Sequence, residues 1–259
     1  MSKTSSIMGY NVYTGQLNNI YINNTKKIII NTINPHSYVV AKSNSTFNKA
    51  LSSSDILLPD GSGIVLASRY VNKEKIQKIS GFNMHTHLLE SLNKKSGKCF
   101  YMGASENTLK LIQERIRREY PNIQVESYSP PYKEEFTQQE NEEIFSKINS
   151  FNPDILFIGL TAPKQEIWLN EHKDKINFSV AVSIGAVFDF FAGTIKRSPQ
   201  FFIDIHLEWL PRLLQEPKRL GRRNFISTPL FLMDMFYSKL ASIQLFKRKK
   251  EKITKLQNV

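Results

Sequence analysis

The sequence predicts an α/β fold, in which a Rossmann-like, mostly parallel sheet is flanked by helices and followed by a basic helical appendage. Short apolar runs bounded by turns alternate with helical stretches, which is the order of repeated βαβ units. This alternation ends near Ser198-Pro199. Positive charge is concentrated beyond that point, because residues 196–259 hold fourteen lysines and arginines against five acidic residues. We therefore predict an α/β domain over residues 1–197 and the appendage over residues 198–259.

The first two predicted strands each end in a polar turn. In KKIIINTINPHSYVVAKSN, a β-branched run is followed by Thr32, Asn34 and Pro35. In DILLPDGSGIVLASRYV, an apolar run is followed by a Pro-Asp-Gly turn that contains Asp60, and then by the start of a helix. Proline, glycine and short polar residues at these places are typical of turns between a strand and a helix.

The clearest strand–helix–strand unit is KCFYMGASENTLKLIQERIRREYPNIQVESYSPPY. Its apolar strand enters a loop at Gly103, and Leu109, Ile112 and Ile116 at helical spacing predict the following helix. Pro121 then ends this helix ahead of a second strand.

Two further strands are predicted at Ile155–Gly159 and Val180–Ile184. Ligands of parallel sheets bind at the carboxyl ends of the strands, so we expect the loops that follow the strands to form the binding site. These loops lie at Asp60, at Gly103, at residues 159–165 and at residues 185–193.

Composition excludes several classes of protein. A single cysteine, Cys99, rules out an internal disulfide and a cysteine-based metal cluster, and it favours a reducing compartment. The N-terminus lacks the apolar run of a signal peptide, and no uninterrupted apolar stretch reaches 18 residues. The pair His85 and His87 is not completed by carboxylates or cysteines, so no metal site is expected. A G-x-S-x-G nucleophile motif is also absent.

Each candidate site residue has a structural alternative. Asp60 is placed either to cap a turn or to accept a proton from a hydroxyl group. Thr32 and Asn34 are either turn residues ahead of Pro35 or polar groups of a pocket. The loop at Gly103 is either an ordinary strand–helix turn or a substrate-binding loop whose N–H groups hold phosphate. It matches neither the dinucleotide fingerprint nor the P-loop pattern.

The appendage carries a cluster of arginines and an apolar stretch. Arg212, Arg219, Arg222 and Arg223 follow roughly helical spacing, although Pro217 interrupts the helix. They form either a solvated basic face or a site for an anion such as a diphosphate. The segment FISTPLFLMDMFYSKLASIQLFKRKKEK is either an interfacial helix at an anionic membrane or a helix that packs in a dimer or in the core.

These motifs together resemble the WecG/TagA/CpsF family of bacterial glycosyltransferases, over about residues 7–225. The motifs are Thr-x-Asn-Pro at residues 32–35, ILLPDGSGIVLASR, FYMGASENT with YPNIQV, PDILFIGLTAPKQEIWL, FDFFAG, KRSP and LEWLPRLLQEPKRLGRR. The resemblance implies inverting, metal-independent transfer of an N-acetylmannosamine-type sugar from a UDP donor, without a cofactor. The implied acceptor is a GlcNAc-type sugar on undecaprenyl diphosphate, in the biosynthesis of teichoic acid, capsule or another surface polysaccharide.

The resemblance also assigns roles to individual residues. It implies that Asp60 is the catalytic base and that Thr32 and Asn34 line the same pocket. It implies that Gln165 touches the donor sugar or its diphosphate. The arginines that it assigns to closing the site and neutralising the diphosphate are Arg212, Arg219 and Arg222.

The chain departs from the family pattern at five positions. Lys78 and Asn83 stand where the family often has Arg and Asp, and Thr161, Ser183 and Ile184 stand where it favours glycine. A different UDP-sugar donor is therefore one alternative, and a catalytically silent nucleotide-binding scaffold is another. A nucleic-acid-binding protein fits less well, because the basic and aromatic residues concentrate after the α/β domain.

The expected location follows from these assignments. A UDP-sugar and a polyprenyl-linked acceptor would meet at the inner face of the plasma membrane, where a cytoplasmic, peripheral protein would bind anionic lipid through its C-terminal segment. Self-association is a further expectation, since a dimer would cover apolar helix surface.

Overall fold

The computed structural model describes residues 3–20, 26–204 and 207–257, without the side chains of Asp204, Lys218, Arg219 and residues 243–257. Within these ranges the chain forms a six-stranded parallel sheet with helices on both faces, and a helical C-terminal segment. The predicted fold class is confirmed.

The strands form two sheets. A small antiparallel hairpin consists of β1 (Thr4–Ile7) and β2 (Tyr10–Tyr13). The main sheet contains β3 (Ile28–Ile33), β4 (Ile56–Pro59), β5 (Lys98–Gly103), β6 (Gln124–Tyr128), β7 (Ile155–Gly159) and β8 (Val180–Ser183). Its order is β4-β3-β8-β7-β5-β6, and every neighbouring pair is parallel. The strand predicted at Ile155–Gly159 is present with those bounds, and the last strand ends one residue earlier than predicted.

The helices connect the strands and then form the C-terminal segment. Those that precede, connect or directly follow the strands are α1 (Pro35–Ser43), α2 (Ser45–Ser52), α3 (Ser62–Ala67), α4 (Gly81–Lys94), α5 (Glu106–Glu119), α6 (Gln138–Phe151), α7 (Lys164–His172) and α8 (Val187–Ala192). The C-terminal segment contains α9 (Gln200–Asp204), α10 (Trp209–Gln215), α11 (Pro217–Arg222) and α12 (Thr228–Gln257). Two π-helical turns occur at Ser68–Asn72 and Arg223–Ser227, and a 3₁₀ turn at Leu17–Asn19.

Local sequence explains where several helices begin. Asn34 caps α1 in a capping box with Ser37, and Thr137 does the same for α6 with Glu140. Pro217 occupies the first turn of α11, where a missing N–H costs nothing, and so it separates α10 from α11 as the sequence predicted.

The apolar core lies on both faces of the main sheet. One face packs against α4, α5 and α8, and the predicted helical positions Leu109, Ile112 and Ile116 are all buried there. The other face packs against α6 and α7. A third cluster joins the β1–β2 hairpin, α1, α2 and α3 to Phe231 and Met235 of α12. The division into domains at residues 197 and 198 stays a prediction.

A buried polar pair links the sheet to α4. His85 Nε2 lies 2.6 Å from the hydroxyl oxygen of Tyr101, and both residues are fully buried. The rings of Phe157 and Phe191 pack against the imidazole. Burial, with a smaller contribution from Arg115, lowers the pKa of His85 to about 3, so this histidine is a neutral core residue.

We expect the His85–Tyr101 pair to behave as a unit in unfolding. Replacing one partner leaves a buried polar group unpaired, so His85→Leu or Tyr101→Phe alone should each cost about 1–3 kcal/mol. The double variant should cost clearly less than the sum of the two. Urea unfolding of the four proteins measures this, and additive losses would show that the hydrogen bond contributes no coupling.

Candidate active site

A cleft of about 1090 Å³ opens at the carboxyl edge of the main sheet. The four loops expected to form the binding site all line it, together with the loop after β6 and part of the C-terminal segment. Of the predicted site residues, the cleft is lined by Thr32, Asn34, Asp60, Gly103, Gln165 and Arg212.

Asp60 follows β4 directly and is half-buried in the cleft. Its backbone N–H donates to the carbonyl of Ile33 at 2.9 Å, which extends the β3–β4 pairing by one residue. The residue at the N-cap of α3 is Gly61, with φ of +91°, and no side chain caps this helix. The carboxylate of Asp60 is therefore not used as a helix cap.

The electrostatic environment of Asp60 is mixed. Burial has the largest effect and raises its pKa, and Glu208 adds to this. Arg223 is the strongest opposing charge, with Lys78 and Arg212 also lowering the pKa, yet the net direction is upward. A carboxylate whose pKa moves toward neutrality is better suited to accept a proton at physiological pH.

Thr32 and Asn34 lie at the end of β3, next to the turn that carries Asp60. Asn34 Oδ1 accepts the N–H groups of His36 at 3.0 Å and Ser37 at 3.1 Å, so the structural alternative of a turn and cap residue holds for this side chain. The same residue lines the cleft. Its contribution to ligand binding stays a prediction.

The loop after β5 approaches the neighbouring strand closely. Gly103 has φ of +119°, and a Cβ at this position would lie 2.5 Å from the carbonyl oxygen of Gly159. Only glycine fits there, because of both the backbone conformation and the close contact. Ser105 caps α5 through the N–H of Thr108, and both residues line the cleft at the N-terminus of this helix.

Gln165 and Glu166 lie in the first turn of α7, and both are buried. Gln165 Oε1 accepts the N–H of Gly185 at 3.1 Å, and Gln165 Nε2 donates to Glu166 Oε1 at 2.8 Å. Burial raises the pKa of Glu166 to about 7. The sequence reasoning missed Glu166, although it directly follows a predicted site residue.

The arginines differ from the expected set in one respect. Arg212 lines the cleft, whereas Arg222 is exposed and is not among the lining residues. Arg223 lines the cleft instead, at the start of a π-helical turn. The side chain of Arg219 lies outside the described part of the structure. Arg197 adds another guanidinium to the lining and stacks over the ring of Phe82, 4.5 Å from its centroid.

His36 is a further residue that the sequence did not single out. It lines the cleft, and its Nδ1 lies 2.9 Å from Ser227 Oγ in the C-terminal segment. Burial, Arg223 and Arg222 all lower its pKa. No pattern in the sequence distinguishes this histidine from the other four.

The carboxyl edge of this parallel α/β sheet combines an acidic residue, a helix N-terminus and guanidinium groups, an arrangement typical of sites that bind phosphate groups. A family model described as "Glycosyl transferase WecG/TagA/CpsF family" matches residues 7–244 of this chain. The chain belongs to this glycosyltransferase family, as its motifs indicated, and it is therefore a transferase.

Three curated relatives share the name N-acetylglucosaminyldiphosphoundecaprenol N-acetyl-beta-D-mannosaminyltransferase. The relative from Bacillus spizizenii is 33% identical over 230 residues, which is 89% of this chain and 87% of the relative. The relative from Bacillus subtilis is 33% identical over 82% of this chain and 80% of its own length. The relative from Staphylococcus aureus (strain MW2) is 28% identical over 80% and 79%.

We expect Glu166 to make stability depend on pH. Its pKa in the folded protein is raised to about 7 from its ordinary value of 4.5. The folded protein therefore binds this proton more tightly than the unfolded chain does. The stability that this difference gives the fold is lost as pH rises from about 4.5 to about 7. Relative to wild type, Glu166→Gln should gain stability across this interval, by about 3 kcal/mol at pH 8.

Chemical denaturation from pH 5 to pH 8 measures this difference. Glu171→Gln is the matched control, because it removes an exposed carboxylate from the same helix. A constant difference between wild type and Glu166→Gln over the whole range would contradict the raised pKa.

Proposed function

We propose that the protein transfers an N-acetylmannosamine-type sugar from a UDP donor to a GlcNAc-type sugar on a polyprenyl diphosphate. The observation that carries this proposal is that Asp60 shares one cleft with Arg212 and Arg223. The names of the three relatives supply the sugar and the acceptor. The UDP carrier is inferred from the motifs and from the fit of a diphosphate to the guanidinium groups.

Asp60 supplies the base in the proposed reaction. Its carboxylate takes the proton of the acceptor hydroxyl as that oxygen attacks the anomeric carbon from the face opposite UDP. The bond from the anomeric carbon to the UDP oxygen breaks, and its electron pair leaves with the diphosphate. One attack from the opposite face inverts the configuration at the anomeric carbon.

The arginines supply positive charge to the leaving group. Negative charge grows on the diphosphate as the glycosidic bond breaks, and positioned guanidinium groups stabilise that charge. Arg212, Arg223 and Arg197 all line the cleft, and we assign this role to them. We propose that they act without a metal ion.

One observation favours an alternative donor, in which the sugar is not N-acetylmannosamine. The hydroxyl of Ser183, at a position where the family favours glycine, lines the cleft and is buried without a hydrogen-bond partner among the described residues. A buried hydroxyl of this kind adds a polar contact that a glycine cannot make. A UDP-sugar other than UDP-N-acetylmannosamine is therefore the alternative substrate.

We also propose that α12 binds the protein to an anionic membrane. Phe231 and Met235 are buried against the rest of the chain, whereas Met233, Phe236 and Leu240 are exposed on the helix. The sequence beyond residue 246 adds a run of lysines and arginine. None of the helices within the described ranges is both long enough and apolar enough to cross a bilayer. Binding at the surface would bring the cleft to a lipid-linked acceptor at the inner face.

Asp60→Asn should abolish sugar transfer while leaving UDP binding intact. General-base catalysis contributes about 10²- to 10⁴-fold, so kcat should fall by at least a hundredfold. The assay uses a panel of UDP-sugars with a short-chain polyprenyl-diphosphate-GlcNAc acceptor, with and without EDTA. Asp174→Asn, an exposed carboxylate away from the cleft, is the matched control.

Each result of this assay has a defined meaning. Transfer that persists in EDTA and fails only in Asp60→Asn supports the proposed mechanism and names the donor. Equal rates for wild type and Asp60→Asn would refute the base assignment. UDP binding without transfer from any donor would favour the scaffold.

The membrane proposal predicts binding to vesicles that contain anionic phospholipid. Met233→Ser with Phe236→Ser should weaken binding at least tenfold, because apolar burial contributes about 1.5–3 kcal/mol for a fully buried side chain of this size. Met233→Leu with Phe236→Leu is the control that keeps the face apolar. Cosedimentation at low and high salt measures the apolar and the electrostatic contributions to vesicle binding. Wild type could instead form dimers and fail to bind vesicles. If the serine variant then loses the dimers, a second copy of the chain covers this face.

A further inference from the structure

Two hydrogen bonds hold the Gln165 side chain between α7 and the turn after β8. Its Oε1 accepts the N–H of Gly185 at 3.1 Å, and its Nε2 donates to Glu166 Oε1 at 2.8 Å. Gln165 is 5% exposed and Glu166 is 3% exposed, and both line the cleft. A short polar chain therefore runs along the floor of the cleft from Glu166 through Gln165 to Gly185.

The chemistry of the two neighbours fixes the orientation of the Gln165 amide. The backbone N–H of Gly185 can only donate, so it must face the amide oxygen. The Oε1 atom of Glu166 takes the amide nitrogen as its donor. One hydrogen on Nε2 is thereby used, and no described residue accepts the second one.

The turn at Gly185 packs tightly against this amide. A Cβ at residue 185 would lie 2.6 Å from the carbonyl oxygen of Leu160 and 3.0 Å from Gln165 Oε1. A side chain at residue 185 would therefore press on the amide oxygen, which glycine allows to accept the Gly185 N–H directly. Its nitrogen, by contrast, is anchored only through Glu166 among the described residues.

We propose that Glu166 is a positioning residue, which holds the Gln165 amide so that the second Nε2 hydrogen is presented to an acceptor oxygen of the sugar-nucleotide donor. This inference rests on the proposed function. It goes beyond the role implied for Gln165, because it assigns to Glu166 a role that acts through its neighbour.

The cost of Glu166 to the fold supports a role in positioning. Its Oε2 is buried with no hydrogen-bond partner among the described residues. A buried carboxyl with an unpaired oxygen is less favourable than an apolar side chain of the same volume. No charged residue contributes to the rise in its pKa, which burial alone causes. Glu166 therefore stabilises the orientation of Gln165 rather than the fold.

The first test needs no substrate. If Glu166 fixes the amide, Glu166→Leu should let the side chain of Gln165 rotate and so expose the Gly185 N–H. Amide hydrogen exchange of Gly185, measured by NMR on the full chain, should then be about tenfold faster, close to the rate in Gln165→Ala. Glu166→Gln keeps an acceptor oxygen and should retain most of the protection. Unchanged protection in Glu166→Leu would overturn the proposal.

The second test uses the transfer assay as a double-mutant cycle. Glu166→Leu should lower kcat/KM for the donor about tenfold, without lowering the unfolding temperature. Adding Glu166→Leu to Gln165→Ala should change kcat/KM by less than twofold, because a residue that acts through Gln165 has no effect once Gln165 is gone. Multiplicative losses would overturn the positioning role. Absence of transfer by wild type would instead overturn the proposed function, and the exchange result would then decide only whether Glu166 holds the Gln165 amide in place.

Discussion

The pairing of β3 with β8 is the contact on which the cleft depends. Ile28, Ile29 and Ile30 pair with Val180, Ala181 and Val182, and these two strands are the first and last of the main sheet along the chain. Without this pairing, β4 and β3 would be separate from the other four strands. Because the pairing is parallel, it brings the turn of Asp60 beside the loops of Gln165 and Gly185. The candidate base and the candidate donor site therefore come from opposite halves of the chain.

The C-terminal segment depends on a second set of contacts. The ring of Phe231 packs against Tyr38 of α1, with centroids 5.2 Å apart, and Lys42 pairs with Asp234 at 2.6 Å. These contacts fix the start of α12, and the π-helical turn just before it carries Arg223. Arg223 is the first residue of this turn and lines the cleft, whereas Arg222 is the last residue of α11 and is exposed.

The sequence predicted the parts of the fold that depend on local order. Alternating strands and helices, the break at Pro217 and the buried positions of α5 follow from periodicity and from proline chemistry. The sheet order does not follow from these patterns, since β3 pairs with a strand about 150 residues away. Gly103 was predicted as a loop residue, but its close approach to Gly159 depends on how β5 and β7 pair. Glu166 was missed because its environment is set by burial, which the sequence alone does not give.

The charged groups around the cleft shift the pKa of Asp60 in opposite directions. Arg223, Lys78 and Arg212 lower its pKa, which favours the ionised carboxylate but weakens it as a base. Burial and Glu208 act in the other direction. Under the proposed function, a bound diphosphate would share the guanidinium groups and reduce their effect on Asp60. The pKa of Asp60 would then rise when the donor is bound. The same arginines would thus serve the leaving group and make the base stronger only when there is a sugar to transfer.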